Sequence, residues 1–156
     1  MNLVIRAMQG EDVAELAKME KAAFSVPWSE KAFADLLTHP YNLYLVAVLD
    51  GRTVGCAGVT MLGDEADIDK VMVAKDHRGK GIASKLLEKL LECCEERGVT
   101  SFTLEVRVSN APAIHLYRKY GFVSEGVRPR FYEKPVEDAM IMWRRPTITM
   151  SAEDYL

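Results

Sequence analysis

The chain has 156 residues, a net charge of −3, 49% hydrophobic and 28% charged residues. That is one domain's worth of chain, able to bury roughly 70% of its unfolded surface. Its balance excludes a basic nucleic-acid binder, and a slightly acidic chain offers nothing to an anionic membrane. No apolar run approaches the ~18 residues of a membrane span, and the N-terminus enters a strand pattern directly, without a signal-peptide pattern. The three cysteines, Cys56, Cys93 and Cys94, are odd in number and two are adjacent on a predicted helix. They form no disulfide framework and are expected to be reduced thiols of a cytoplasmic protein.

In chain order, Leu3 to Arg6 alternates as a short strand. A helix follows from Gly10-Glu11-Asp12, with apolar residues Val13, Leu16, Ala17, Met19, Ala23 and Phe24 at helical spacing. Pro27-Trp28-Ser29-Glu30 breaks it and starts a second helix, with Ser29 as N-cap and Phe33, Leu36 and Leu37 as its buried stripe. Trp28 reads as a staple between the two helices or as a wall of a substrate site. Leu43 to Leu49 is a strand apolar on both faces. Asp50-Gly51 is a tight hairpin signal, Arg52 to Leu62 the return strand, and Asp64 to Val73 a third strand with acidic residues near its start.

Arg78-Gly79-Lys80-Gly81-Ile82-Ala83 then links that strand to a helix from Ile82 to Arg97. Glycines let a backbone turn tightly and approach a ligand. The first turn of a helix carries unpaired N–H groups and partial positive charge, so the stretch suits a phosphate. It reads equally as a basic turn that merely starts a helix. Neither the dinucleotide fingerprint nor the Gly-Lys-Ser/Thr loop fits, because Ser84 and Lys85 stand where a third glycine is needed and Gly81 follows Lys80. The helix carries Ile82, Leu86, Leu87, Leu90, Leu91 and Cys94 on one side, with Gly98 at its C-terminal end.

Thr100 to Val108 is the next strand, with Phe102, Leu104, Val106 and Val108 on one face and Thr103, Glu105 and Arg107 on the other. After a crossover helix it should lie parallel to the strand before the loop, near the middle of the sheet. A carboxylate there is costly unless paired or at a wet cleft, which makes Glu105 a candidate acid or base; the alternative is a Glu105–Arg107 surface pair. Ser109-Asn110-Ala111-Pro112 caps a helix from Ala111 to Tyr120 that carries Ile114, Tyr117 and Tyr120. Phe122–Val127 and Asp138–Trp143 read as two final strands, joined by a basic, aromatic loop from Arg128 to Pro135. The last strand is expected at a sheet edge, and residues 147–156 as a mobile tail after one domain of residues 1–146. His39, His77 and His115 have no metal-ligand spacing, and no metal is expected.

Arg78-x-x-Gly81-x-Ala83 resembles the pyrophosphate loop of the GNAT superfamily of acyl-CoA-dependent N-acetyltransferases. Pro27 to Phe33, Leu104 to Ala111 with Ala113 to Tyr117 and Tyr120-Gly121-Phe122, and Glu137 to Met142 narrow the resemblance to its RimI-like branch, which acetylates the N-terminal alanine of the eighteenth protein of the small ribosomal subunit. The resemblance implies an α/β fold with a mixed, mostly antiparallel sheet of about seven strands, a central splayed parallel pair and about four helices. It implies acetyl-CoA as cosubstrate and a peptide or protein N-terminus as acceptor, with neither nucleic acid nor membrane as partner. Glu105 falls on the general base and Tyr117 on the general acid. Val71, Met72, Val73, Arg78, Gly79, Lys80, Gly81, Ile82, Ala83 and Asn110 fall on the cosubstrate site, and Trp28, Arg107, Phe131 and Tyr132 on the acceptor side. Lys70 replaces a usual Asn, and Phe131 replaces one of two paired tyrosines, departures that bear on the acceptor. The same fold supports acetylation of a small amine such as a polyamine or antibiotic, or a non-catalytic acyl-CoA-binding module.

Overall fold

A computed structural model describes residues 2–146. Seven strands form one sheet in the order β1-β2-β3-β4-β5-β7-β6: β1 (Leu3–Ala7), β2 (Asn42–Leu49), β3 (Arg52–Leu62), β4 (Glu65–Val73), β5 (Ser101–Arg107), β6 (Val123–Tyr132) and β7 (Glu137–Arg144). Neighbouring strands are antiparallel except β4 and β5. Helices α1 (Val13–Ala23) and α2 (Glu30–Leu36) cover one face, and α3 (Ile82–Glu96) and α4 (Ala111–Lys119) the other.

Local signals account for most of these boundaries. Asp50 and Gly51 take φ of 48° and 84°, the left-handed pair that a two-residue hairpin needs. Ser29 Oγ accepts the Ala32 N–H at 3.1 Å and starts α2. Gly98, at φ 93°, ends α3, and the following Val99 N–H bonds back to the Cys94 carbonyl at 3.1 Å. The predicted stripe of α3 is buried as a set, and Leu86, Leu87 and Leu90 have no exposed surface. They pack on β2, β3 and β4 in the larger core. The smaller core, on the other face, joins Met8, Val13, Leu16 and Phe33 to Tyr44, Val46, Cys56 and Met72.

The C-terminal hairpin departs from expectation. Arg128 to Tyr132 is not loop: it continues β6, and the turn is confined to residues 133–136. Nor is the last strand an edge. β7 pairs with β5 on one side and β6 on the other, so β6 is the outer strand. Every residue of β7 is buried or partly buried, which suits an inner position, whereas nearly all of β6 is exposed. The first helix begins as a 3-10 turn over Gly10–Asp12, and the tail 147–156 lies outside the described residues.

The feature that positions the site is a break in pairing. β4 and β5 pair only over Glu65–Asp67 and Ser101–Thr103. Immediately beyond, a bulge opposite Gly58 and Val59 interrupts the β3–β4 ladder. A bulge bends and twists its strand, and from there the two parallel strands run unpaired with each other. The bulge also resets the faces of β4: Ala66 and Ile68 pack in the larger core, but Met72 packs in the smaller one, with Val71 and Val73 now on the larger.

Candidate active site

Past the bulge, the Ala74 N–H donates to the Val54 carbonyl of β3 at 2.7 Å. Backbone groups alternate sides along a strand. Met72 therefore turns its own groups toward β3, and Val71 and Val73 turn theirs into the gap beside β5. Of the three residues expected on the cosubstrate, Met72 does not offer its backbone to that gap.

The glycine loop follows directly. Gly79 and Gly81 take φ of 79° and 78°, and a side chain at either would be strained there. Gly81 is the N-cap of α3 and supplies no side-chain cap, and the first turn holds no acidic residue. The leading N–H groups of a 15-residue helix thus lack side-chain acceptors beside the exposed Arg78 and Lys80. This donor set suits a diphosphate. Arg78 Nε also donates to the Val73 carbonyl at 3.1 Å, tying the loop to the end of β4.

On the α1–α2 side of the sheet the splay opens into a cleft of about 520 Å³, lined by Trp28, Asp67, Asp69, Glu105, Phe131 and Tyr132 among others. Glu105 points here from β5. It does not pair with Arg107; its nearest cation is Arg128 of β6, at 3.7 Å. Arg107 is committed elsewhere. Its guanidinium donates to the carbonyls of Pro135 and Glu133 at 2.9 and 3.1 Å, pairs with Glu137, and stacks on Tyr132 at 4.4 Å. Arg107, expected on the acceptor side, thus anchors the β6–β7 turn and holds Tyr132 at the cleft. Phe131 stands edge-on to Tyr132, with ring centroids 5.0 Å apart. Trp28 packs on Phe33 and Tyr44 and also lines the cleft.

Tyr117 is buried on α4, edge-on to Phe122. Burial, with Tyr132 nearby, raises its phenol above the ordinary value, so it holds its proton at neutral pH. Asn110 is the N-cap of α4; its side-chain oxygen accepts the Ala113 N–H at 3.3 Å, leaving its amide N–H₂ group as the donor it can offer a ligand.

Sequence reasoning passed over the other carboxylates. The Asp69 carboxylate accepts from Thr60 Oγ1 at 2.7 Å and the Tyr44 hydroxyl at 3.3 Å, yet partial burial lifts its pKa. The cleft wall, then the charges of Glu105 and Asp69, push Asp67 up to about 6. Three carboxylates thus give the cleft a field that attracts an ammonium group. The signal was present as Asp67-x-Asp69, a spacing that puts two acids on one face of a strand. Lys70 is a departure from the family pattern that bears on the acceptor. It is buried, its Nζ is 2.7 Å from both oxygens of buried Glu20, and it lies 4.1 Å from the ring centre of Trp28. Among the described residues no group of three or more His, Cys, Asp or Glu side chains is placed to hold a metal, and no helix is long and apolar enough to cross a membrane.

Residues 13–122 match the acetyltransferase (GNAT) family. The chain belongs to that family. Within this GNAT family it is 35% identical over 140 residues to the [ribosomal protein bS18]-alanine N-acetyltransferase of Escherichia coli K12, covering 88% of this chain and 94% of that one. It is 35% identical over 148 residues to the N-alpha-acetyltransferase RimI of Mycobacterium tuberculosis H37Rv, covering 91% and 92%. The crystal structure of the ribosomal-protein-S18-alanine N-acetyltransferase from Escherichia coli superimposes with a TM-score of 0.87 at 31% identity, over 97% of this chain and 98% of that one. The GNAT architecture expected from the sequence, a seven-stranded mixed sheet with four helices, is the one observed.

Proposed function

We propose that this GNAT acetyltransferase moves an acetyl group from acetyl-CoA to the N-terminal α-amine of a protein in the cytoplasm, and that its acceptor is the N-terminal alanine of the ribosomal protein bS18. The observation that carries the reading is the unpaired gap between β4 and β5, with backbone groups of Val71 and Val73 on one side and Glu105 on the other. The Escherichia coli relative named for bS18 matches nearly the whole chain, which supports the acceptor, and the Mycobacterium tuberculosis relative's name supports acetylation at an α-amine.

Acetyl-CoA supplies the thioester-bound acetyl group. The amides at Gly79 to Ala83, with Arg78 and Lys80, hold its diphosphate. Val71 and Val73 orient its arm along the edge of β4, the Asn110 amide adds a donor, and an N–H of that edge meets the negative charge that develops on the carbonyl oxygen. An α-amine has a pKa near ~7.7–8.0 and is largely protonated at neutral pH. Trp28, Phe131 and Tyr132 wall the acceptor, and the acidic cleft draws in its ammonium. Glu105 takes the amine's proton so that the lone pair is free, and Tyr117 gives its proton to the departing sulfur.

Mass spectrometry of alanine-initial peptides incubated with the protein and acetyl-CoA tests this reading. The expected product carries one acetyl on the α-nitrogen. Acetylation confined to lysine side chains, or turnover of a free polyamine far above that of any peptide, would reject it.

A further inference from the structure

The ion pair between Glu20 and Lys70 is the most enclosed charge pair in the described structure, with side chains 2% and 7% exposed. Burying two charges costs about as much as their attraction returns, so such a pair is poorly explained by stability alone. What it does here is geometric. Glu20 comes from α1 and Lys70 from β4, one residue before Val71. A Glu20 oxygen also accepts the Trp28 backbone N–H at 3.3 Å. The ammonium lies 4.1 Å from the Trp28 ring centre, 4.6 Å from Phe24 and 5.9 Å from Phe33. Trp28 is therefore gripped twice, at its backbone by the acid and on its ring face by the cation, and its indole then lines the cleft with Asp69 and Glu105. The α1–α2 connection that carries it has no strand pairing of its own.

We infer that Glu20 and Lys70 are positioning residues for the acceptor: the buried pair locks Trp28 against the cleft, so that the wall for the acceptor's leading residues is held in register with the β4 edge that holds the cosubstrate. The inference rests on the acceptor reading above. Neither residue touches the reacting atoms, so loss of the pair loosens acceptor binding and leaves the chemical step alone.

The test uses the full chain in a Trp143→Phe background, which leaves Trp28 as the one tryptophan. Lys70→Met should shift Trp28 emission to the red and raise acrylamide quenching about twofold or more, with CoA affinity by calorimetry within about twofold of the parent. With an alanine-initial peptide, KM should rise about 10-fold while kcat stays within about twofold. In a Trp28→Ala background the same substitution should add almost nothing to KM, because both act through one side chain. Should Lys70→Met alone fail to fold around its orphaned carboxylate, Glu20→Gln with Lys70→Met removes both charges and should show the same signature. Unchanged Trp28 emission and quenching, or a full additional KM effect on top of Trp28→Ala, would overturn the inference. A parent protein that acetylates no peptide α-amine defeats the acceptor reading instead; the tryptophan signals still decide whether the pair positions Trp28.

Discussion

Gly55→Ala puts the sheet geometry to a quantitative test. Gly55 lies on β3 opposite Val73, and its backbone is not in the left-handed region. On conformation alone an alanine there should stabilise the fold by about 0.4–1 kcal/mol, by restricting the unfolded chain. Space reverses the sign. A Cβ at Gly55 would sit 2.6 Å from the Met72 carbonyl oxygen and 3.3 Å from the Leu86 side chain. The carbonyl is backbone and cannot rotate away, so reaching an ordinary 3.4 Å contact means parting β3 from β4 by about 0.8 Å. Overpacking costs about 1–3 kcal/mol, and a rigid backbone contact belongs in the upper part of that range, about 2–3, leaving a net loss of about 1–2.6 after the conformational gain. For a domain of this size that lowers the melting temperature by roughly 2–10 °C. The displaced strand is also the one whose Val71 and Val73 edge faces the gap, so CoA affinity should fall with stability. Urea denaturation and thermal melts by circular dichroism measure the first effect, calorimetry the second. Gly10→Ala is the control: its Cβ would meet nothing within 4 Å, and stability should stay level or rise slightly. A Gly55→Ala protein as stable as its parent would refute the packing argument.

Glu105→Gln should lower kcat by roughly 10²–10⁴ with CoA affinity unchanged, and Tyr117→Phe should do the same through the leaving group; an unchanged rate in steady-state assays removes that residue from the chemistry. Asp12, 3% exposed, is held by Arg6 at 2.8 and 2.9 Å and by the Gln9 N–H. Burial pushes its pKa up, but these partners outweigh burial and bring it below the usual value. A depressed carboxylate stabilises the fold above its unfolded pKa of ~3.9 and loses that contribution as pH falls through the folded value. Asp12→Asn should therefore cost about 1–3 kcal/mol at pH 7, and the gap should close toward pH 3 in urea titrations; a gap independent of pH contradicts the pairing. Burial pushes Cys56 and Cys94 up to about 12, whereas Cys93 is only half-buried. A thiol reagent at pH 8 should modify one cysteine in the folded protein and all three after denaturation; equal rates at Cys56 and Cys93 would count against the core described here.

Much of this protein is readable along the chain because the signals are local. The stripe of α3, the Asp50-Gly51 hairpin, the Ser29 and Asn110 caps and the glycine loop each depend on residues within a turn of one another. Glu105 was legible for a similar reason, since alternation in Ser101–Arg107 sets a carboxylate among apolar neighbours on an inner strand. The misreadings share a different cause. Arg128 to Tyr132 looked like loop because its basic and aromatic residues carry no apolar alternation, yet β7 supplies a partner that extends the strand. The contacts of Arg107 with the β6–β7 turn and the pairing of Lys70 with Glu20, beyond the reach of local signals, span 26 to 50 residues of sequence.

The sequence by itself determined most of the element types and the family, because helical period, turn residues and short motifs act over a few bonds. Tertiary structure alone decided that β7 inserts between β5 and β6, that β4 parts from β5 after Asp67, and that its faces exchange at the bulge. One extra residue in a ladder reverses which side chains face the core, and that choice is made by the neighbouring strand's register and by what packs above it. The gap between β4 and β5, beside Glu105, is set there.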